Sequence, residues 1–355
     1  MGGQRESNLE LYRIVTMLAI VAHHFVVNSG ILNKAYEAPL SANSVFLFLF
    51  GAWGKTGINC FMLITGYFMC KSSITLKKYL KLIFEMLFYN VVIVAVFIAA
   101  GQGTIKDAVN SVLIIRTIDS NHFFACFLVF YLLIPFLNIL LYHINKEQHE
   151  RLIAILAFLY IVLGTIPKFS VAMNYISWFN TLYVVAAYIR FYPLQKRRWG
   201  IMTVLFIVMA VISILVCLKL NELLIKQDAY RFVSDSNTFF AFAISICSFM
   251  YFKELKIRRS KLINAIGKST FGVLCIHANS MMMINWLWKD FLNVQMKYEW
   301  PFIKLVIFSI VTVIGIFAVC TVIDIVRSKM IEKRFLKYIE KTGAFLRLKK
   351  EFEIF

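Results

Sequence analysis

Charge is what this sequence has least of. Only 16% of its 355 residues are Asp, Glu, Lys or Arg, against roughly 25% in a soluble domain. Acidic residues are the scarcer kind: 19 Asp+Glu stand against 38 Lys+Arg, a formal net charge of +19. The seven cysteines form no Cys-x-x-Cys pair, so neither a disulfide scaffold nor a zinc ribbon has spacing to rest on. No internal repeat, low-complexity linker or second soluble domain is visible. The apolar set makes up 60% of the chain and the mean hydropathy is +0.74, which excludes disorder and a collagen-like fibre. A soluble enzyme with one large core could not cover itself with so few polar atoms. Lipid has to cover it.

A transmembrane helix needs about 20 mostly apolar residues. Ten windows qualify: about 9–29, 45–70, 80–100, 122–142, 152–167, 176–192, 200–218, 236–252, 268–288 and 301–325. Some are rich in β-branched residues, such as Val91-Val92-Ile93-Val94. Helix is still the expectation, because in lipid each segment must satisfy its own backbone groups. The expected fold is an all-α polytopic bundle of about ten spans with both termini cytoplasmic. Residues 1–326 form the bundle and 327–355 a basic cytoplasmic tail too short to fold alone. The first span is expected to be retained, since Glu6, Glu10 and Arg13 intrude on its start.

With that topology, 27 of the 38 Lys and Arg fall on the cytoplasmic side, from Arg5 and Arg13 through Lys256, Arg258 and Arg259 to the tail. This is the positive-inside bias, and an odd number of spans would scramble it. The basic excess is therefore a topology signal and requires no nucleic acid. The cysteines all lie in or at the edges of spans and read as small packing residues.

Ser7-Asn8-Leu9-Glu10 has the form of a capping box that would start the first helix. Arg13 and His24 are eleven residues apart, close to three full turns, so they share a face and stand roughly 16 Å apart along the axis. His23 points about 100° away. An ionisable group inside a membrane tends to face a cavity or a partner, and histidine suits proton transfer near neutral pH; a satisfied core histidine is the plain alternative. Lys55, near the middle of the second window, either snorkels, pairs with a carboxylate or lines a cavity. Glu85, four residues after Lys81, is placed for a helix-surface ion pair.

Arg13, ten residues, then His24 resembles the Arg-x10-His signature in the first helix of the membrane-bound acyltransferase 3 family, with flanking sequence similar to its single-domain glycan-modifying branch. Gly57 to Tyr67, ending Thr65-Gly66-Tyr67, resembles the family's second-helix motif. Tyr131 to Asn138 resembles its fourth-helix pattern, and Phe271-Gly272 to His277 resembles its late Phe-Gly-x-Tyr-x-x-His motif. The four pieces occur in order on the expected spans.

The resemblance implies a fold of membrane helices and transfer of an acyl group, commonly acetyl, from cytoplasmic acyl-CoA to a hydroxyl of a surface or lipid-linked glycan. The expected setting is a bacterial plasma membrane, with acyl-CoA as co-substrate and no metal. His24 is then the general base, or the site of a transient acyl-histidine, with His277 its candidate partner. Arg13 meets the charged part of the donor. Lys78, Lys81 and Arg190 are candidate donor-phosphate cations, unless they are ordinary positive-inside residues; the family often has Arg-x-x-Arg where this chain has Lys78 and Lys81. Thr65 and Tyr67 are either oxyanion donors or packing residues. His122, with Asp119 and Asn121, is either an acceptor contact or an interfacial cap. One departure is plain: where many relatives carry Trp-Ser-Leu-x-x-Glu, this chain reads His122-Phe123-Phe124-Ala125-Cys126-Phe127, and Phe127 falls at the Glu. A transporter or flippase, or an assembly subunit of an envelope synthase, are the competing readings.

Overall fold

Long apolar segments in lipid have one economical solution for their backbone N–H and C=O groups, the α-helix. A computed structural model shows this outcome, with helices and no strand among the described residues. It describes residues 6–114, 122–166, 171–224, 229–233 and 235–352, with side chains omitted for 221–224. Arg5, Asp119 and Asn121 lie outside the described residues. In chain order the helices are α1 (Ser7–Val27), α2 (Ile31–Glu37), α3 (Ala42–Gly51), α4 (Gly54–Met69), α5 (Leu76–Ala99), α6 (Ile105–Val112), α7 (Phe123–His143), α8 (Lys146–Leu156) and α9 (Leu163–Thr165). Then follow α10 (Tyr175–Phe191), α11 (Trp199–Leu224), α12 (Phe239–Glu254), α13 (Lys261–Lys268), α14 (Thr270–His277), α15 (Met281–Asn285), α16 (Phe302–Arg327), α17 (Lys333–Ile339) and α18 (Gly343–Phe352).

Seven stretches are long and apolar enough to cross a membrane: Ser7–Val27, Ala42–Met69, Leu76–Ala99, Phe123–His143, Lys146–Thr165, Trp199–Leu220 and Phe302–Ile339. The other three windows of the sequence differ in instructive ways. Two hold shorter helices, α10 with 17 residues and α12 with 16. The window 268–288 is broken at Ser269 and again after His277. Long apolar side chains face outward on the spans, at Ile201, Val204, Val208, Ile212 and Val216 on α11 and at Ile303, Ile307, Val311 and Ile314 on α16. Spacings of three and four residues make each a single stripe. An exposed apolar surface of this kind belongs against lipid. The protein is an all-α polytopic membrane protein.

The chain divides into two compact units. The first comprises Met1–Leu63, Phe158–Val171 and Gln195–Thr321; the second comprises Ile64–Ala157, Ala172–Leu194 and Val322–Phe355.

In the first unit, α1 runs close against α3 and α4. A Cβ at Gly51 would lie 2.7 Å from Val26 Cβ, one at Gly54 2.2 Å from His23 Cγ, and one at Gly57 2.6 Å from Ile20 Cγ1. Glycine numbers rise as α1 numbers fall, so the helices are antiparallel, and only glycine permits this approach. The Ser7–Glu10 capping box does not form. Glu6 is the N-cap and makes no side-chain cap, while the Ser7 hydroxyl is spent on Asn264 Oδ1 at 2.9 Å. Further along, Tyr12 stacks on Phe252 with ring centroids 4.7 Å apart, and its hydroxyl shares a 2.7 Å hydrogen bond with Ser248 Oγ.

In the second unit, α7 and α10 join through an aromatic cluster. Phe127 lies among Phe123, Phe130, Tyr131 and Phe179, with ring centroids 5.8 to 6.2 Å away. A carboxylate among these rings would be buried without a partner, at a cost that usually forces it to neutralise; phenylalanine fits the packing instead. Asn138, from the fourth-helix motif, accepts from Tyr183 Oη at 2.6 Å and donates to the Met69 carbonyl at 3.3 Å. The chain beyond Arg327 continues as a π-turn, Ser328–Glu332, and then α17. It packs on α5: Phe335 stacks on Phe84 at 4.0 Å and Lys77 pairs with Glu340 at 2.7 Å. The expected Lys81–Glu85 pair is replaced by a buried cluster. Arg327 contacts Glu85 (2.9 Å), Asp324 (2.9 Å) and Glu332 (2.7 Å), while Lys81 reaches the other Glu332 oxygen at 2.9 Å. All seven cysteines are buried free thiols.

Candidate functional site

Two of the residues singled out by the sequence, His24 and His277, come together in the first unit. His24, on the third turn above Arg13, turns its Nδ1 to His277 Nε2 at 2.9 Å, with ring centroids 5.1 Å apart. His277 is fully buried and its Nδ1 lies 2.6 Å from the Val273 carbonyl oxygen. That carbonyl can only accept, so His277 Nδ1 carries the proton and its Nε2 presents a lone pair. His24 Nδ1 must then be the donor to His277. The tautomer of His24 follows: its Nε2 is unprotonated, and no hydrogen bond engages it among the described residues. A basic nitrogen, held by a second imidazole that is itself held by the backbone, has the orientation logic of a general base.

The break in the 268–288 window makes this contact possible. His277 is the last residue of α14, and its ring nitrogen bonds back to the carbonyl four residues earlier. Asn279 Nδ2 donates to the Cys275 carbonyl at 3.1 Å, and Ser280 caps α15 by accepting from Met283 N. These side chains satisfy backbone groups that the interruption frees, the condition under which irregular backbone is tolerated at membrane depth.

His23 goes elsewhere. Its Nδ1 donates to the Gly51 carbonyl at 2.6 Å and its ring seats against Gly54, so it is a packing residue of the α1–α4 contact. Lys55 follows Gly54 and is half-buried. Arg13 is half-buried on the His24 face. An apolar groove of about 500 Å³ runs along Leu18, Ala19 and Ala22 of α1; on a helical wheel it faces away from Arg13 and His24.

The second unit holds the remaining candidates. Arg190 Nη1 donates to Tyr67 Oη at 2.6 Å, and the guanidinium carbon stands 4.5 Å from that ring's centroid. A Cβ on Gly66 would lie 2.8 Å from Ala186 Cβ, which explains the glycine between Thr65 and Tyr67: α4 and α10 meet there. Lys78 Nζ donates to Ser72 Oγ and the Ser73 carbonyl, both at 2.7 Å, and Lys81 is paired with Glu332. Thr65 is half-buried. His122 is the N-cap residue of α7 without a side-chain cap bond, its ring 5.5 Å from that of Phe124.

Sequence reasoning placed His24 and His277 as plausible partners but not their hydrogen bond, and it missed the Tyr67–Arg190 pair altogether. Nothing in a helical wheel brings together residues 123 positions apart. Among the described residues, no three His, Cys, Asp or Glu side chains converge to hold a metal ion.

Comparison with known proteins gives one match. No curated protein and no solved structure matches the chain. The model of the family Acyl_transf_3, described as an acyltransferase domain, matches residues 6–324. That range takes in the Arg13–His24 helix, every helix from α1 to α15 and most of α16, and the chain accordingly belongs to the acyltransferase 3 family as a membrane acyltransferase.

Proposed function

We propose that the protein transfers an acyl group, acetyl in the first instance, from acyl-CoA to a hydroxyl of a glycan or lipid-linked saccharide, with His24 as general base. The observation that carries this reading is the oriented pair: His24 Nδ1–H donates to His277, so Nε2 is left to take a proton. An alcohol is a weak nucleophile until its proton is removed. The acceptor O–H proton passes to His24 Nε2 as the oxygen bonds to the thioester carbonyl carbon. The tetrahedral intermediate then expels the thiolate by C–S cleavage, and the proton held on His24 passes to the sulfur. Ester and free CoA result, and the base is regenerated.

Arg13 lies on the same face about 16 Å from His24, a reach comparable to an extended pantetheine arm, and is assigned to the charged end of the donor. His277 is a positioning residue, since it acts through His24. Lys55, next to the Gly54 that seats His23, is assigned to the acyl or acceptor side. In the second unit, Arg190 with Tyr67 is assigned to donor and substrate contacts, Thr65 and His122 to the acceptor. Lys78 and Lys81 can serve donor phosphates only by exchanging their present partners, Ser72, Ser73 and Glu332. The setting proposed is the bacterial plasma membrane.

Purified protein in lipid nanodiscs, given labelled acetyl-CoA and a saccharide acceptor, tests the reading. His24→Ala should lower transfer by about 10²- to 10⁴-fold. His277→Gln, whose amide oxygen can still accept from His24, should retain more activity than His277→Phe at equal thermal stability. Full transfer by His24→Ala would sink the assignment. One observation favours the second reading, a transporter: the interrupted helix ending at His277 resembles the discontinuous spans that bind solutes. Solute flux independent of acyl-CoA would support it.

A further inference from the structure

The first unit contains a cavity that the proposed chemistry has not used. It is an open depression of about 740 Å³ between the start of α1 (Glu6, Ser7, Asn8) and the loop 255–259. Three cations line it, Lys256, Arg258 and Arg259, against one carboxylate, Glu6. All three are exposed. Among the described residues none of them makes an ion pair, in contrast to Lys77, Lys81 and Arg327, which are all paired.

The backbone adds to the charge. Ser7 and Asn8 open α1, and no side chain caps their N–H groups, so the positive end of the helix faces the same space. The loop is held at both ends by the residues that open the helix. Ser260 N donates to Ser7 Oγ at 3.0 Å, and Asn8 Nδ2 donates to the Phe252 and Lys253 carbonyls at 3.0 and 3.1 Å. Side chains that would ordinarily cap the helix instead fix the cationic loop, which lowers the ordering cost of a ligand. Leu255 and Ile257 supply apolar surface between the cations.

We infer that this cavity binds the nucleotide end of the thioester donor: Arg258 and Arg259 take phosphate oxygens as planar forks, Lys256 acts as a point charge, and the first-turn N–H groups of α1 complete the anion site. Leu255 and Ile257 face the adenine ring. The inference rests on the proposed acyl-CoA reading and deepens it. Along the helix axis, His24 stands about 25 Å from Ser7. Arginine suits this task because its fork matches two phosphate oxygens at once.

The test compares wild type with the double variant Arg258→Gln/Arg259→Gln in nanodiscs, using acetyl-CoA and acetyl-pantetheine, which has the thioester but no nucleotide. The expected result is a rise of about tenfold or more in KM for acetyl-CoA, with kcat unchanged and KM for acetyl-pantetheine unchanged. Equal KM for acetyl-CoA in both proteins would overturn the inference and leave the acyltransferase reading standing. Direct binding of CoA, followed by calorimetry, separates the two in the other direction. If wild type transfers from neither donor yet binds CoA about tenfold tighter than the variant, the nucleotide site stands and the proposed reaction fails. The shared phosphate chemistry of lipid headgroups is tested with nanodiscs of phosphatidylcholine alone and with phosphatidylglycerol added. CoA affinity that depends on the arginines in both supports the inference. Phosphatidylglycerol binding that depends on the arginines, with CoA affinity indifferent to them, overturns it.

Discussion

Two neighbouring histidines meet different fates, and the difference lies in what each faces. His23 finds the last carbonyl of α3 and a glycine of α4; His24 finds a second imidazole. Their side chains point about 100° apart on the helix, which was legible from numbering alone. The identity of each partner was not. The residue most sensitive to that geometry is Gly54. A methyl group there would stand 2.2 Å from His23 Cγ, so Gly54→Ala should displace α1 and destabilise the protein by about 1–3 kcal/mol. A lowered melting temperature in detergent would register this. An unchanged one would mean that the α1–α4 approach is looser than drawn. Phe127 carries the same lesson. Read from sequence it is a missing carboxylate, whereas in the structure it is one ring of an aromatic cluster that has no place for charge.

At the scale of elements, the helices were legible from apolar length, and the least legible parts were their interruptions. The window 268–288 reads as one span, yet it breaks where the side chains of Thr270, Asn279 and Ser280 satisfy freed backbone groups. Serine and asparagine are compatible with either outcome, so packing decides. The end of α16 shows a similar ambiguity. Arg327 looks like the first residue of a basic tail, but its guanidinium is buried among Glu85, Asp324 and Glu332. Removing one partner of a buried charge cluster strands the others. Arg327→Met should therefore cost about 3–5 kcal/mol, and adding Glu85→Gln and Asp324→Asn should recover part of the loss in thermal melts. Equal stability of Arg327→Met and wild type would show the cluster to be incidental.

For the whole molecule, the distribution of cations makes the strongest statement. The loop 255–259 and the segment from Lys333 to Lys350 are expected on the cytoplasmic side with the start of α1. Single cysteines at position 257 or 348 in a cysteine-free background should resist a membrane-impermeant maleimide in intact cells, and a cysteine at position 297 should react. Labelling at 257 from outside would reverse the orientation and remove access of a cytoplasmic donor to the 255–259 cavity.

The sequence alone determined that lipid covers this chain, that helices span it, and that Arg13 and His24 share a face. Each of these follows from composition or from local periodicity, which act over at most a few turns. Tertiary structure alone decided that His24 donates to His277 across 253 positions, that Tyr67 receives Arg190, and that Ser7 and Asn8 hold a cationic loop rather than cap their own helix. These contacts depend on which helix lies beside which and at what height. Among helices uniformly apolar, the few polar side chains take whichever partners the packing brings within reach.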